Sequence, residues 1–217
     1  MAKESVESRK ERAENSTSPE ELEKLAEEIA VEEVDTDPFN FKKRNEFSSM
    51  RVAITENANT PIEVLEKLAK LEGNGNAMVR YGVAMNANTP ALLMEKLAGD
   101  EESDVRSGIA ENQNTPVPLL EKLSEDETYY IRRPVAGNQN TPIPLLEKLA
   151  KEEDLDVRIA VAENLNTPVS LLEKLAKDED SDVRIAVAGN ENTPVALLEK
   201  LAKDEDEYVR DTARERI

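Results

Sequence analysis

A phrase close to V-R-I-A-V-A-E-N-x-N-T-P-x-x-L-L-E-K-L-A-K-D-E-D recurs along most of the chain. Its arginines stand at Arg51, Arg80, Arg106, Arg132, Arg158, Arg184 and Arg210, one spacing of 29 residues followed by five of 26. Thr-Pro pairs keep the same beat at Pro61, Pro90, Pro116, Pro142, Pro168 and Pro194. A fixed period of this length belongs to chains that stack small units, each burying its apolar face only against its neighbours. The expected class is an all-α, α/α superhelical solenoid of about seven two-helix repeats of about 26 residues.

The unit from Val157 to Asp182 shows how each repeat folds. Thr167-Pro168 reads as a helix start, the Thr hydroxyl accepting a first-turn N–H and Pro taking the first helical position. Leu171, Leu172, Leu175 and Ala176 then share one face, while Glu173, Lys174 and Lys177 point away. This is the longer helix, expected to run to about Asp178. The acidic run through Asp182 ends it and caps a second helix of about two turns, carrying Val183, Ala186 and Val187 and closed by Gly189-Asn190 as a left-handed stop. Neither helix is long enough to be stable alone, so stacking must stabilise both.

Composition narrows the chemistry. Aromatic residues make up 3% of the 217 positions and Trp is absent, so the core is built from Leu, Val, Ile and Ala. Cys and His are absent, which removes thiolate and imidazole catalysis, disulfides and the usual zinc, haem and iron-sulfur ligands. No cofactor, metal site or catalytic residue is expected. The net charge of -19 disfavours a phosphate backbone as ligand and favours a basic partner. No run is apolar enough to span a bilayer, and the N-terminal stretch lacks an apolar signal core. The expected address is the cytoplasm.

The V-R-x-x-V-A-x-N phrase followed by T-P-x-x-L-L-x-x-L-A-x-D resembles the leucine-rich repeat variant family, and Asp182-Val183-Arg184 with Ala186 looks like the D-x-V-R-x-x-A signature of HEAT-type repeats. The resemblance covers roughly Arg51 to Ile217. It implies paired short helical segments wound into a right-handed superhelix. The founding member of the variant family looks like an iron-sulfur protein with a cysteine cluster, and that redox role does not carry over to a chain without Cys.

Two asparagine ladders accompany the arginines: Asn57, Asn86, Asn112, Asn138, Asn164 and Asn190, then Asn59, Asn88, Asn114, Asn140, Asn166 and Asn192. Both read as turn-formers bonding to backbone, with peptide capture by an amide ladder as the alternative. Each arginine reads as pairing with an acid or carbonyl of its own or the next unit, with phosphate binding as the alternative. Asp178, Asp180 and Asp182 lack the glycine and terminal glutamate of a calcium loop and read as caps.

Departures from the repeat mark candidate contacts. Residues 1–30 form a degenerate N-terminal capping repeat in which Arg9 and Asn15 stand as ladder members. Residues 31–50 form an insertion, and 51–217 the regular repeats with a truncated C-terminal unit. The insertion holds Phe39, Phe41 and Phe47 beside Lys42, Lys43 and Arg44, a group suited to anchor a partner or to fold back over the open end of the stack. A second group is Tyr129, Tyr130 and Arg133 ahead of Pro134, where the proline is expected to distort the short helix or turn it partly 3₁₀. Gly73-Asn74-Gly75 reads as a flexible turn. The position after each repeat arginine varies most, and through Tyr81 and Arg133 it forms a candidate recognition strip. The function expected is a non-catalytic scaffold that binds a protein or peptide, basic ones being favoured by charge. The alternatives are a HEAT-like nucleic-acid-binding protein and an acidic nucleic-acid mimic that occupies a basic partner. The chain is expected as a monomer or an end-to-end homo-oligomer.

Overall fold

The computed structural model describes residues 4–34 and 41–217, with side chains described outside 31–34, 41–44 and 74. Every regular element among the described residues is helical, and the chain divides into two compact units, Met1–Asn112 and Gln113–Ile217. The first holds α1 (Val6–Asn15), α2 (Pro19–Val34), α3 (Phe41–Glu56), α4 (Ile62–Leu68), a 3₁₀ turn at Asn74–Asn76, α5 (Ala77–Met85), α6 (Ala91–Leu97) and α7 (Ser103–Glu111). The second holds α8 (Val117–Leu123), α9 (Tyr129–Gly137), α10 (Ile143–Leu149), α11 (Leu155–Glu163), α12 (Val169–Leu175), α13 (Ser181–Gly189), α14 (Val195–Leu201) and α15 (Glu207–Arg214).

In each unit the arginine-bearing helices stack on one another, α1 on α3, α5 and α7 in the first, α9 on α11, α13 and α15 in the second, and the Leu-rich helices pack along their flank. Each unit is thus an all-α repeat solenoid. Its core is the repeated pairing of Val157, Val161 and Ala162 with Leu171, Leu172 and Leu175, all buried. The expected boundary at residue 50 falls inside α3, whose first turns extend the arginine-bearing helix toward the N-terminus.

Three local expectations are corrected. The Thr hydroxyls do not cap the Leu-rich helices: Pro168 and Pro194 occupy the N-cap in extended conformation without a side-chain bond. Thr167 and Thr193 instead donate backward at 2.6 Å to the carbonyls of Val161 and Val187, satisfying acceptors that the end of the arginine-bearing helix leaves open. The Leu-rich helix is the shorter one, seven residues in α12 against nine in α13. It finishes in i→i−3 bonds from Lys177 to Lys174 and from Asp178 to Leu175, both 3.0 Å, so the helical sequence pattern outlasts the α geometry. Asn190 is extended, at φ −67° and ψ 125°. Its side-chain oxygen accepts the Asn192 N–H at 2.9 Å, a turn made by the side chain that needs no left-handed residue.

The irregular places resolve as well. Pro134 lies inside α9, which stays α-helical throughout; as the sixth of its nine residues it deprives the Tyr130 carbonyl of its i+4 N–H partner. At the three-residue expansion Gly73 has φ +81°, and no other described residue has positive φ, so glycine is required there. The two glycines inside helices compensate for larger neighbours. A Cβ on Gly82 would lie 2.0 Å from the Thr55 hydroxyl, and one on Gly108 would lie 3.0 Å from the Tyr81 ring. Thr55 stands where the next five repeats carry alanine, and Gly82 gives it room.

Candidate functional site

The repeat arginines turn inward. Arg158 grips Asp178 in bidentate fashion, Nε at 2.8 Å and Nη2 at 3.1 Å, while Nη1 donates to the carbonyls of Glu152 and Glu153. Arg184 repeats this with Asp204, both bonds 2.9 Å, and with the carbonyls of Asp178 and Glu179. Arg80 does the same with Asp100, at 2.7 and 2.9 Å, and its Nη1 uses the carbonyls of Leu71 and Gly73 in the expanded turn. Each rung ties one helix to the end of the Leu-rich helix 20 residues on, and its planar fork suits a carboxylate. The hydrogen bond from Arg184 holds the Asp204 carboxyl below the usual range, with burial opposing it. At Asp100 burial pushes upward most strongly, yet the Arg80 bond and the Glu102 N–H together bring the carboxyl down.

One rung is imperfect. Glu152 replaces the aspartate found at positions 100, 178 and 204, and Arg132 reaches it through Nη2 alone at 3.3 Å. The extra methylene displaces the carboxylate, and the buried Arg132 Nε is left without a hydrogen bond.

The asparagines stitch successive repeats. Nδ2 of Asn164 donates to the carbonyls of Ala136 and Asn138, and Nδ2 of Asn190 to those of Ala162 and Asn164, at 2.7 to 3.1 Å. The second ladder is exposed but does similar work: Asn88 donates to Ala58, Asn166 to Gln139 and Asn192 to Leu165, each to a carbonyl of the preceding repeat. Neither ladder presents free amides for an extended peptide at these positions. In the first repeat Asn15 is exposed and bonds Glu11, and Ser16 supplies the carbonyl that Asn57 uses. At the other end Arg216 fills the asparagine slot, Nη1 donating at 2.6 Å to the carbonyls of Ala188 and Asn190.

The expected contact residues are scattered. Phe47 is 1% exposed and belongs to the core of the first unit, where it cannot act as a surface anchor. Phe39 lies outside the described residues, as do the side chains of Phe41, Lys42, Lys43 and Arg44. Tyr81 is half-buried over Gly108, its hydroxyl 3.4 Å from Glu111. In the second unit α9 does expose a group: Tyr129 and Tyr130 are 46% and 48% exposed, and Arg133 lies one turn from Tyr129 on the same face. Beside them is an open cleft of about 660 Å³ lined by Tyr129, Arg132, Lys148, Lys151, Glu152 and Glu127. The variable column after each arginine is mixed, Ser107 being buried, Ile159 and Ile185 half-buried and Asp211 exposed. A row missed from sequence is Val117, Ile143, Val169 and Val195, all exposed. Each follows the repeat proline, where the pattern of apolar residues gives no hint that the side chain leaves the core; only the helix-start position could have shown it.

No described helix is long and apolar enough to cross a membrane. No curated protein matches the chain. Among solved structures, the crystal structure of an engineered protein from the Northeast Structural Genomics Consortium aligns over 96% of this chain and 72% of that one, at 14% identity and a TM-score of 0.38. The leucine rich repeat variant family matches residues 155–180 and 182–206, the segments in which Arg158 and Arg184 form complete rungs and Asn164 and Asn190 complete stitches. Over these two consecutive segments the chain is similar to the leucine rich repeat variant family, a HEAT-like helical repeat family.

Proposed function

We propose that the chain is a non-catalytic scaffold that docks a protein or peptide partner on the second unit, with α9 at the centre of the contact. The observation that carries this reading is the exposure of Tyr129 and Tyr130 beside Arg133, in a repeat whose other polar ladders are spent on internal bonds. Tyrosine and arginine are the residues that concentrate binding energy at interfaces. The exposed row of Val117, Ile143, Val169 and Val195 extends apolar surface along the same unit. The net charge of -19 favours a basic partner. Nucleic-acid binding loses its carrier, because Arg80, Arg158 and Arg184 are committed to carboxylates. A cytoplasmic address goes with this reading.

The test is affinity capture from native lysate at low and moderate salt, comparing the chain with a Tyr129→Ala, Tyr130→Ala, Arg133→Glu variant of unchanged far-ultraviolet dichroism. A protein enriched by the original and lost from the variant is expected. The same protein retained equally by both moves the contact away from α9, and recovery of nucleic acid by the original sinks the scaffold reading.

A further inference from the structure

One column of side chains on the second unit is apolar, exposed and repeated on each Leu-rich helix. Val117, Ile143, Val169 and Val195 take the first position of α8, α10, α12 and α14 and are 38% to 57% exposed. Four residues on, Glu121, Glu147, Glu173 and Glu199 are exposed as well, one helical turn away and therefore on the same face as the apolar residue. None of these four carboxylates is in an ion pair among the described residues. The lysine after each glutamate lies about 140° round the helix from the apolar residue, and Lys148 is drawn to Glu125 of the preceding repeat. An apolar column thus runs beside an acidic one.

The spacing of the column is set three residues ahead of it. Asn140, Asn166 and Asn192 each donate directly to a carbonyl of the preceding repeat, at Gln113, Gln139 and Leu165, so the helix starts are held at about the 8–10 Å of packed helices. Same-face residues of an extended strand recur every ~6.8 Å and turns of an α-helix every ~5.4 Å. Both fall out of step with the column within one repeat. A polyproline II helix completes a turn in three residues and about 9.3 Å, one turn for each repeat. Its backbone is solvated and asks for no main-chain-like donors, which suits a face whose exposed amides are already spent on the stitches. We infer that the column docks a polyproline II segment of a basic partner. An apolar residue at every third position of the ligand, proline above all, sets against Val117, Ile143, Val169 and Val195. Arginine or lysine at a neighbouring position sets against Glu121, Glu147, Glu173 and Glu199, and the net charge of -19 favours its approach. This surface lies on the Leu-rich helices and does not rest on the contact proposed at α9.

The experiment titrates the full chain with a synthetic peptide of four Pro-Pro-Arg triplets, read by calorimetry and by the valine methyl resonances of the chain. Saturable binding that weakens with added salt and shifts the methyls of Val117, Val169 and Val195 is expected. A peptide of the same composition whose arginines break the three-residue period should bind roughly tenfold more weakly, since it cannot fill all four repeats at once. Ile143→Ser with Val169→Ser, in a variant of unchanged far-ultraviolet dichroism, should also lower affinity roughly tenfold. Glu147→Gln with Glu173→Gln should lower it roughly threefold, and the α9 triple variant should bind as the original does. Equal binding of the two peptides reduces the effect to charge attraction and overturns the inference, as does the absence of saturable binding. Binding that the α9 triple variant loses and the column variants keep also overturns it. A helical peptide with leucine and arginine at seven-residue spacing that binds more tightly than the triplets overturns the choice of occupant. Self-association of the chain alone that Ile143→Ser with Val169→Ser abolishes does the same, in favour of a second copy.

Discussion

Replacing Asn164 by alanine removes three hydrogen bonds at once from a side chain that is 1% exposed. Its Nδ2 donates to the Ala136 carbonyl at 2.7 Å and the Asn138 carbonyl at 2.9 Å, and its Oδ1 accepts from the Asn166 N–H at 2.8 Å. The Asn138 carbonyl keeps a second partner in the Thr141 N–H, so its loss is small. The Ala136 carbonyl and the Asn166 N–H lose bonds that no other group among the described residues replaces, at about 1 to 2 kcal/mol each for buried or part-buried groups. The sum is about 3 kcal/mol. Asn164→Asp should be no better, since it keeps the acceptor but turns an anion toward two carbonyls. Asn166→Ala, which loses one exposed bond to Gln139, should cost no more than about 1 kcal/mol. Urea unfolding followed at 222 nm ranks the variants. Amide exchange at Thr167, whose N–H bonds the Asn164 carbonyl, reports whether the loss is local, as nearest-neighbour stacking requires. Equal effects of Asn164→Ala and Asn166→Ala, or a loss below about 1 kcal/mol for the former, would refute the view that the buried asparagines hold the repeats together.

Glu152→Asp should stabilise the second unit by about 1 kcal/mol by giving Arg132 a bidentate partner and its buried Nε a bond; a crystal structure and a urea midpoint check it, and a lower midpoint counts against the rung argument. Gly82→Ala should destabilise the first unit strongly, and Thr55→Ala should rescue it by freeing the space that the Thr55 hydroxyl fills; additive losses in the double variant would be the contrary result. Asp100 and Asp204 have folded pKa values below their ordinary value of 3.8. Their stabilisation is therefore complete above that value and is lost as pH falls through the folded pKa. Thermal melts between pH 6 and pH 2 should show Asp204→Asn melting lower than the original near neutrality, with a shallower acid decline; an unchanged slope contradicts the assignment. Arg216→Ala should raise amide exchange in α15 and leave α11 untouched, because Arg216 bonds only the carbonyls of Ala188 and Asn190.

What was legible in the chain was what repeats. A period of 26 residues places Arg158 and Arg184 in equivalent surroundings, and their inward pairing with acids follows from charge and spacing before any coordinates. The asparagine turns were legible on the same ground. The direction of the threonine bond was not. Thr167 lies next to a helix start in sequence and next to a helix end in space, and only the fold shows that the open carbonyl of Val161 is nearer than an N–H of the following turn. Helix length was misjudged for a related reason, since the residues after Leu175 keep an α-type sequence while their hydrogen bonds tighten to 3₁₀.

The glycines show where further information lay unused in the sequence. Gly82 and Gly108 look like weak points, glycine costing about 1 kcal/mol against alanine in a helix. Set in columns, each follows a repeat in which a larger residue, Thr55 or Tyr81, replaces the commoner side chain, and the structure shows that pair in contact. A packing column therefore conserves volume across the joint between repeats, not residue type within one repeat. The surface obeys no such constraint. Phe47 could have served as core or anchor until its neighbours were known, and Val169 is apolar yet exposed, because both lie at positions where hydrophobicity is compatible with either side of the stack. Side chains in a repeat array are free of packing demands where neighbouring repeats stop constraining one another, and the exposed face of α9, with Tyr129 and Tyr130, is such a place.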